Sequence, residues 1–223
     1  MATQQSTIGD RPADYSSSGR AAAPAARKLG IVSKVLIGLA LLVVALAGII
    51  AIQPSDFRIT RSAKTAAPAD VIFAQVNDFH QWNNWSPWAK MDPAAKNTFD
   101  GPAAGKDASF WWSGNDQVGE GRMTIIESKP SEQVSIRLDF EKPFKGTSTS
   151  EFTFKPDRDQ TVVTWSMFGK NDFMGKAISL VMNCDKMVGA EFEKGLANMK
   201  AIVESPSPSS PAPSTDSPPK TES

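Results

Sequence analysis

The chain contains one histidine and one cysteine, so imidazole or thiol chemistry would have to rest on His80 and Cys184. A lone imidazole can act as a general base, but Gln81 and Asn83 offer it no carboxylate partner, and only Asp78 is near. A surface or helix-end position is therefore favoured for His80. Cys184 belongs to a helical pattern without a Cys/His constellation, which favours a buried structural thiol over a nucleophile. One residue of each type also excludes a two-histidine or cysteine-rich metal site.

Three further polar groups give weak chemical signals. Residues 101–107 are one residue short of the spacing of a phosphate-binding loop, and Asp107 would repel phosphate. Asp139 and Glu141 share a strand face, as a carboxylate pair would, but they alternate with apolar residues and should face solvent. Arg122 could meet a polar ligand group, although its strand pattern favours the surface. No catalytic residue is assigned, and neither a metal nor a cofactor is predicted.

Charge and composition narrow the class of protein. Lys and Arg number 24, Asp and Glu also number 24, and the formal net charge is zero. The chain therefore lacks the basic excess typical of nucleic-acid-binding proteins, and no nucleic-acid partner is predicted. With 40% hydrophobic and 22% charged residues, the composition is that of a globular protein. A single cysteine excludes an internal disulfide framework.

Residues 35–52 form an apolar run without a polar side chain. As a helix the run would be about 27 Å long, close to the thickness of the hydrocarbon core of a bilayer. We predict a transmembrane signal anchor over residues 31–53. A cleaved signal peptide is the alternative, with a small-x-small cleavage site at residues 45–47. Cleavage there would leave a mature chain that still starts with an apolar segment, so the uncleaved anchor is favoured.

The basic residues around this run give a weak orientation signal. Four of them precede it, within residues 20–34, and three follow it, within residues 58–64. The excess on the N-terminal side favours a cytoplasmic N-terminus. We therefore predict a single-pass membrane protein whose domain lies on the extracytoplasmic side.

The rest of the chain divides by composition into a domain and two flanking segments. Residues 1–30 have few large apolar side chains and no periodicity, so we predict disorder. Residues 204–223 are dominated by Pro and Ser and are predicted to form a disordered tail. The domain is then predicted to span residues 56–203, which is long enough for one sizeable core.

Within the domain, most of the hydrophobic pattern has a period of two. The first strand is predicted near residues 56–66, and two short helical segments follow it. Six further strands are separated by turn-forming residues and are predicted at 97–100, 106–113, 120–129, 132–141, 145–155 and 160–169. Such short connections imply consecutive antiparallel strands.

A helical pattern from about residue 172 to residue 203 follows the strands. Its apolar stripe consists of Val188, Phe192, Leu196, Met199 and Val203, and we expect this stripe to cover the apolar face of the sheet. A break near residues 183–185 is the alternative to one continuous helix. The fold class is therefore α+β, with a curved antiparallel sheet of about seven strands around a long C-terminal helix.

Several motifs carry a family likeness. They are residues 67–78, the W-x-x-W-S-P-W block at 82–88, residues 119–123 and residues 187–200. With the order of elements, they make residues 56–203 similar to the START and birch-allergen-like (SRPBCC) superfamily, and most of all to its bacterial polyketide cyclase/dehydrase branch. The resemblance implies a helix-grip fold with a cavity for a lipid, sterol, polyketide or similar apolar molecule. A membrane anchor and a Pro/Ser tail are not part of the family pattern.

The favoured hypothesis is a membrane-anchored protein that binds a hydrophobic small molecule or lipid between the sheet and the last helix. The predicted wall residues are Phe110, Trp112, Met123, Ile125, Ile136, Leu138, Phe152, Trp165, Met167 and Phe192. The same side chains could instead fill an ordinary solid core. Two other functions stay open: a polyketide cyclase or dehydratase, and an interaction module whose Pro-rich tail binds a protein partner.

Overall fold

The computed structural model describes residues 30–205, so most of the two predicted disordered segments, and the Pro-rich tail with them, lies outside the described residues. The first element is helix α1, Ile31–Ala51, which has 21 residues and a mean hydropathy of 2.6. At 1.5 Å per residue it is about 30 Å long, and it is therefore long and apolar enough to cross a bilayer.

Seven antiparallel strands form a single sheet, as the periodicity predicts. The strands are β1 (Asp56–Thr65), β2 (Lys96–Asp100), β3 (Ser109–Ser113), β4 (Glu120–Lys129), β5 (Gln133–Lys142), β6 (Gly146–Asp157) and β7 (Gln160–Lys170). Their order in the sheet is β1-β7-β6-β5-β4-β3-β2. Strands β2 to β7 thus form consecutive hairpins, and the first strand returns to pair with the last. The predicted α+β class with a curved antiparallel sheet is confirmed.

The helices lie in the β1–β2 connection and after β7. The first group is α2 (Ala69–Asn77), a 3₁₀ turn (Phe79–Gln81), α3 (Trp82–Trp85) and α4 (Pro87–Met91). The C-terminal pattern forms two helices, α5 (Phe173–Val181) and α6 (Cys184–Glu204), so the break near residues 183–185 is present and a continuous helix is not. The break follows from local chemistry, because the Asn183 side chain accepts a hydrogen bond from the backbone N–H of Lys186 (2.9 Å) and caps α6.

Helix α6 covers the apolar face of the sheet. Phe192, Leu196 and Met199 of the predicted stripe are buried. A Cβ atom at Gly195 would lie 2.8 Å from Cζ3 of Trp165, so the glycine lets the helix approach the β7 indole closely. About halfway along α6, Glu193 Oε1 accepts a hydrogen bond from the Arg61 guanidinium of β1 at 2.7 Å. Burial and this ion pair together fix the helix across the sheet.

Candidate functional site

A cavity of about 450 Å³ lies between the sheet, the α3–α4 region and α6. This volume falls within the range of sites for small molecules. Fifteen of its twenty wall residues are apolar, and they come from strands, helices and loops: Trp82, Trp88, Ala89, Pro93, Ala95, Phe110, Trp112, Val118, Met123, Leu138, Phe140, Trp165, Met167, Val188 and Phe192. The other five are Asn83, Ser86, Asp92, Asn97 and Ser150. The space is thus an apolar pocket with a few polar groups.

Seven of the ten predicted wall residues line this cavity. They are Phe110, Trp112, Met123, Leu138, Trp165, Met167 and Phe192. The other three, Ile125, Ile136 and Phe152, are not on the cavity wall and are fully buried in the solid part of the core. Apart from Phe192 of α6, both groups lie on the same face of the sheet, and core and wall residues can be direct neighbours, as Phe152 and Trp165 are. Ligand contact by the seven stays a prediction.

Sequence reasoning missed the part of the wall that comes from the β1–β2 connection. Trp88 and Ala89 of α4 line the cavity, as do Asp92, Pro93 and Ala95 of the following loop. Loops have no periodicity from which an inward face can be inferred. The W-x-x-W-S-P-W block was a usable signal, because clustered indoles in a short helical segment must pack on an apolar surface.

Protein acceptors satisfy the indole N–H groups of three wall residues, Trp82, Trp112 and Trp165. Trp82 Nε1 donates to the carbonyl oxygen of Val76 at 3.0 Å. Trp112 Nε1 donates to the carbonyl oxygen of Val118 at 3.2 Å. Trp165 Nε1 donates to Ser150 Oγ at 2.8 Å, and the Trp165 ring stacks on another wall residue, Phe192. These bonds hold the indoles in place, so the rings act as rigid apolar walls.

Asp92 is the one ionisable residue among the wall residues within the described range 30–205. Its carboxylate accepts backbone N–H bonds from Asn115 at 2.7 Å and from Ala94 at 3.1 Å. Asp92 therefore organises two loops at the cavity rim. A general acid or base needs a titratable group that is free to reach the substrate, and this carboxylate is engaged elsewhere.

The residues that first suggested chemistry lie outside the cavity wall. The His80 side chain is half exposed, stacks on Phe99 and lies beside Asp78, as expected for a helix-end position. Cys184 is only partly buried, so the prediction of a buried thiol is wrong: it is the first residue of α6, where one side of the helix faces solvent. Arg122 is at the surface, 3.4 Å from Asp100. Among residues 30–205, no group of three or more His, Cys, Asp or Glu side chains could hold a metal ion.

Asp78 should make an acid-sensitive contribution to stability. Its carboxylate accepts the backbone N–H of His80 at 2.9 Å and the Gln81 amide at 3.2 Å, and the His80 Nδ1 lies 2.7 Å away. Partial burial raises the pKa of Asp78, but the hydrogen bonds from His80 and Gln81 outweigh it and hold the pKa below its ordinary value. The carboxylate therefore stabilises the fold above its unfolded pKa of about 3.9, and this stability is lost as the pH falls through the lower folded pKa.

The substitution Asp78→Asn keeps a capping oxygen but removes the charge. We expect it to lower the Tm at pH 7 by about 2–4 °C, which corresponds to about 1 kcal/mol for a domain of this size. As the pH falls through the lowered folded pKa of Asp78, the Tm difference should shrink, because the wild-type carboxyl becomes protonated as well. Thermal melts from pH 7 to pH 2.5 measure this, and a Tm difference that stays constant over that range would contradict the assignment.

Comparison with known proteins gives one family and several distant structures. Residues 56–204 match the model of the family described as polyketide cyclase / dehydrase and lipid transport. Protein CV1439 from Chromobacterium violaceum is 14% identical, with a TM-score of 0.48, and the match covers 68% of this chain and 99% of that one. Protein MLL2253 from Mesorhizobium loti is 13% identical, with a TM-score of 0.49, and the match covers 66% and 96%. None of the curated proteins matches the chain.

Proposed function

Because the chain belongs to the polyketide cyclase / dehydrase and lipid transport family over residues 56–204, we propose that it binds an apolar small molecule or lipid without transforming it. The observation that carries this proposal is the cavity of about 450 Å³ with fifteen apolar wall residues. Burial of about 400 Å² of apolar ligand surface would contribute about 10 kcal/mol to binding. Part of that gain is lost in fixing the ligand, so we expect micromolar affinity for a simple apolar molecule.

Ser150 offers the ligand one polar contact deep in the cavity. Its Oγ accepts the Trp165 N–H at 2.8 Å. A serine hydroxyl also has one O–H to donate, so a carbonyl, ether or hydroxyl oxygen of the ligand can accept it. The preferred ligand would therefore be an apolar molecule with one oxygen on its buried part. Such a group would fix the orientation of the ligand while apolar burial supplies the affinity.

Catalysis as a cyclase or dehydratase is the second candidate, because the family description names these activities. Either reaction requires proton transfer at the substrate. Asp92 is the one ionisable wall residue within the described range, and it is bound to backbone N–H groups at the rim. This arrangement favours binding over turnover.

We also propose that α1 anchors the domain in a membrane. Its 21 residues are long and apolar enough to span a bilayer. A signal sequence would have the same composition, and N-terminal sequencing of the mature chain distinguishes the two. An anchor of this kind would keep the cavity near the lipid bilayer, in which apolar molecules concentrate.

The probe N-phenyl-1-naphthylamine, which fluoresces strongly in apolar surroundings, tests the binding proposal. The full chain in a mild nonionic detergent should bind one probe per chain with a dissociation constant of about 1–10 μM. Detergent alone is the blank. An increase in fluorescence that does not saturate with protein would show partition into micelles only and would contradict the proposal.

A further inference from the structure

The cavity opens at one end of the sheet. The antiparallel register pairs Asp56 with Lys170 and Phe140 with Gly146, so the start of β1, the end of β7 and the β5–β6 turn lie at this end. Pro93, Ala95 and Val118 line the cavity and belong to loops at the same end. Within residues 30–205, no residue of the turns at the opposite end (101–108, 130–132 and 158–159) lines it. We call the end at which β1 starts the open end.

The most exposed apolar side chains of the domain gather at the open end. Outside α1, five large apolar residues among those described are more than half exposed: Ile52, Phe144, Phe173, Val181 and Met187. Ile52 lies just before β1, Phe144 lies in the β5–β6 turn, and Phe173 and Val181 are the first and last residues of α5. Met187 lies in the first turn of α6. Exposed apolar residues that share one end of a domain can together form an interaction surface.

Helix α5 carries much of this surface and has no buried residue. The backbone N–H of Asn171, just before α5, donates to the carbonyl oxygen of Ser55 at 2.7 Å. The helix therefore starts beside the segment from which the chain enters the sheet. Ala177 and Ile178 are partly buried, but the larger apolar side chains at 173, 174, 180 and 181 are exposed, so another apolar phase could cover this side of the helix.

The length of chain before β1 identifies that phase. Helix α1 ends at Ala51 and β1 begins at Asp56, so four residues connect them. Four residues reach at most about 14 Å. If α1 spans a bilayer, the open end must therefore stay within a short distance of the lipid headgroups, whatever the orientation of the domain.

Lysines flank the exposed apolar residues. Lys142 and Lys145 lie on either side of Phe144 and are 67% and 83% exposed. Lys170 and Lys176 bracket Phe173 in the same way along the chain. Lysine side chains at a membrane surface extend towards phosphate groups while neighbouring apolar side chains enter the acyl region. Lys142 and Lys145 also pair with Glu120 at 3.0 Å and with Glu141 at 2.9 Å, so the surface matches a bilayer through its apolar residues and lysine stems rather than through a net charge.

We propose that α5 and the β5–β6 turn dock on the bilayer and that the cavity takes its apolar ligand directly from the lipid phase. The membrane contact rests on the proposed anchor, and the loading step rests on the proposed ligand binding. An apolar molecule would then pass from the acyl region through the open end into the cavity without crossing bulk water. Transfer through water would expose the apolar surface of the ligand to water, which costs the free energy that apolar burial normally provides.

A spin label at Val181, which is 83% exposed, tests the docking. The variant Val181→Cys is made in a Cys184→Ser background, and the full chain is reconstituted in liposomes of phosphatidylcholine and phosphatidylglycerol. The control variant, Asp159→Cys, places the label in the exposed β6–β7 turn at the opposite end. We expect the label at 181 to collide with oxygen rather than with a water-soluble nickel complex, and the label at 159 to show the reverse. Equal nickel accessibility at both positions would overturn the docking.

The loading step has a separate readout. The double substitution Phe173→Asp and Val181→Asp should slow transfer of N-phenyl-1-naphthylamine from donor liposomes to the reconstituted protein by about tenfold or more. Its affinity for the probe in detergent should not change, since neither residue lines the cavity. Unchanged transfer would overturn direct loading, whereas a wild-type chain that fails to bind the probe in detergent would contradict the binding function itself.

Discussion

The substitution Leu138→Trp is expected to reduce the affinity for N-phenyl-1-naphthylamine at least about tenfold, which corresponds to about 1.4 kcal/mol or more. Leu138 lies on β5 between Met123 of β4 and Ser148 of β6, and its side chain lines the cavity. An indole at this position would occupy space that the ligand needs. The domain should tolerate the larger side chain at position 138 better than at a tightly packed core position, because the added ring can enter the open space of the cavity.

The matched control is Arg137→Trp, one residue earlier on the same strand. Arg137 is exposed on the outer face of the sheet and pairs with Asp139 at 2.8 Å. Loss of such a surface ion pair costs little. The control should bind the probe as the wild type does. Equal loss of affinity in both variants would indicate a general effect on the sheet and would contradict the assignment of the binding site.

Two phenylalanines on the inner face of the sheet should differ widely in their effect on stability. Phe152 of β6 is fully buried and stacks on Trp165 at a centroid distance of 4.7 Å. Its replacement by alanine should lower the free energy of unfolding by about 3–5 kcal/mol. Phe140 of β5 lines the cavity and is only partly buried. The same replacement there should cost less than about 2 kcal/mol, because one side of the ring already faces open space.

Guanidinium chloride unfolding of the full chain in detergent, followed by near-UV circular dichroism, measures both values. The two variants remove the same atoms, so each is the control for the other. Equal losses of stability would mean that Phe140 is packed as tightly as Phe152. The region around Phe140 would then be solid core, and the cavity would not exist in solution.

The strands and the α6 stripe could be predicted from the sequence because each has a strict period. Alternation along β5 places Val134, Ile136, Leu138 and Phe140 on one face, and the structure has this arrangement. The division of this face into solid and hollow parts could not be predicted. It depends on how far α3 and α4 extend over the sheet, and this distance is set by tertiary packing that a period does not encode.

Two local features of the structure also could not be predicted from a periodic sequence pattern. The sequence does not decide between a break and a continuous helix near Asn183, because asparagine caps helices but also occurs inside them. The rim loop with Asp92 and Pro93 carries no pattern that marks an inward face. The rim loop lines the cavity at its open end. The half of the site built from strands was therefore predictable, and the half built from loops and helix ends was not.

Native mass spectrometry of the full chain, purified gently from the cells that produce it, tests the central claim most directly. Part of the wild-type protein should carry one non-covalently bound apolar molecule, which the Leu138→Trp variant should lack and the Arg137→Trp variant should retain. Equal retention by the Leu138→Trp variant would place the molecule outside the cavity. A wild-type spectrum with the mass of the bare chain alone, together with failure to bind the probe, would contradict a ligand-binding cavity.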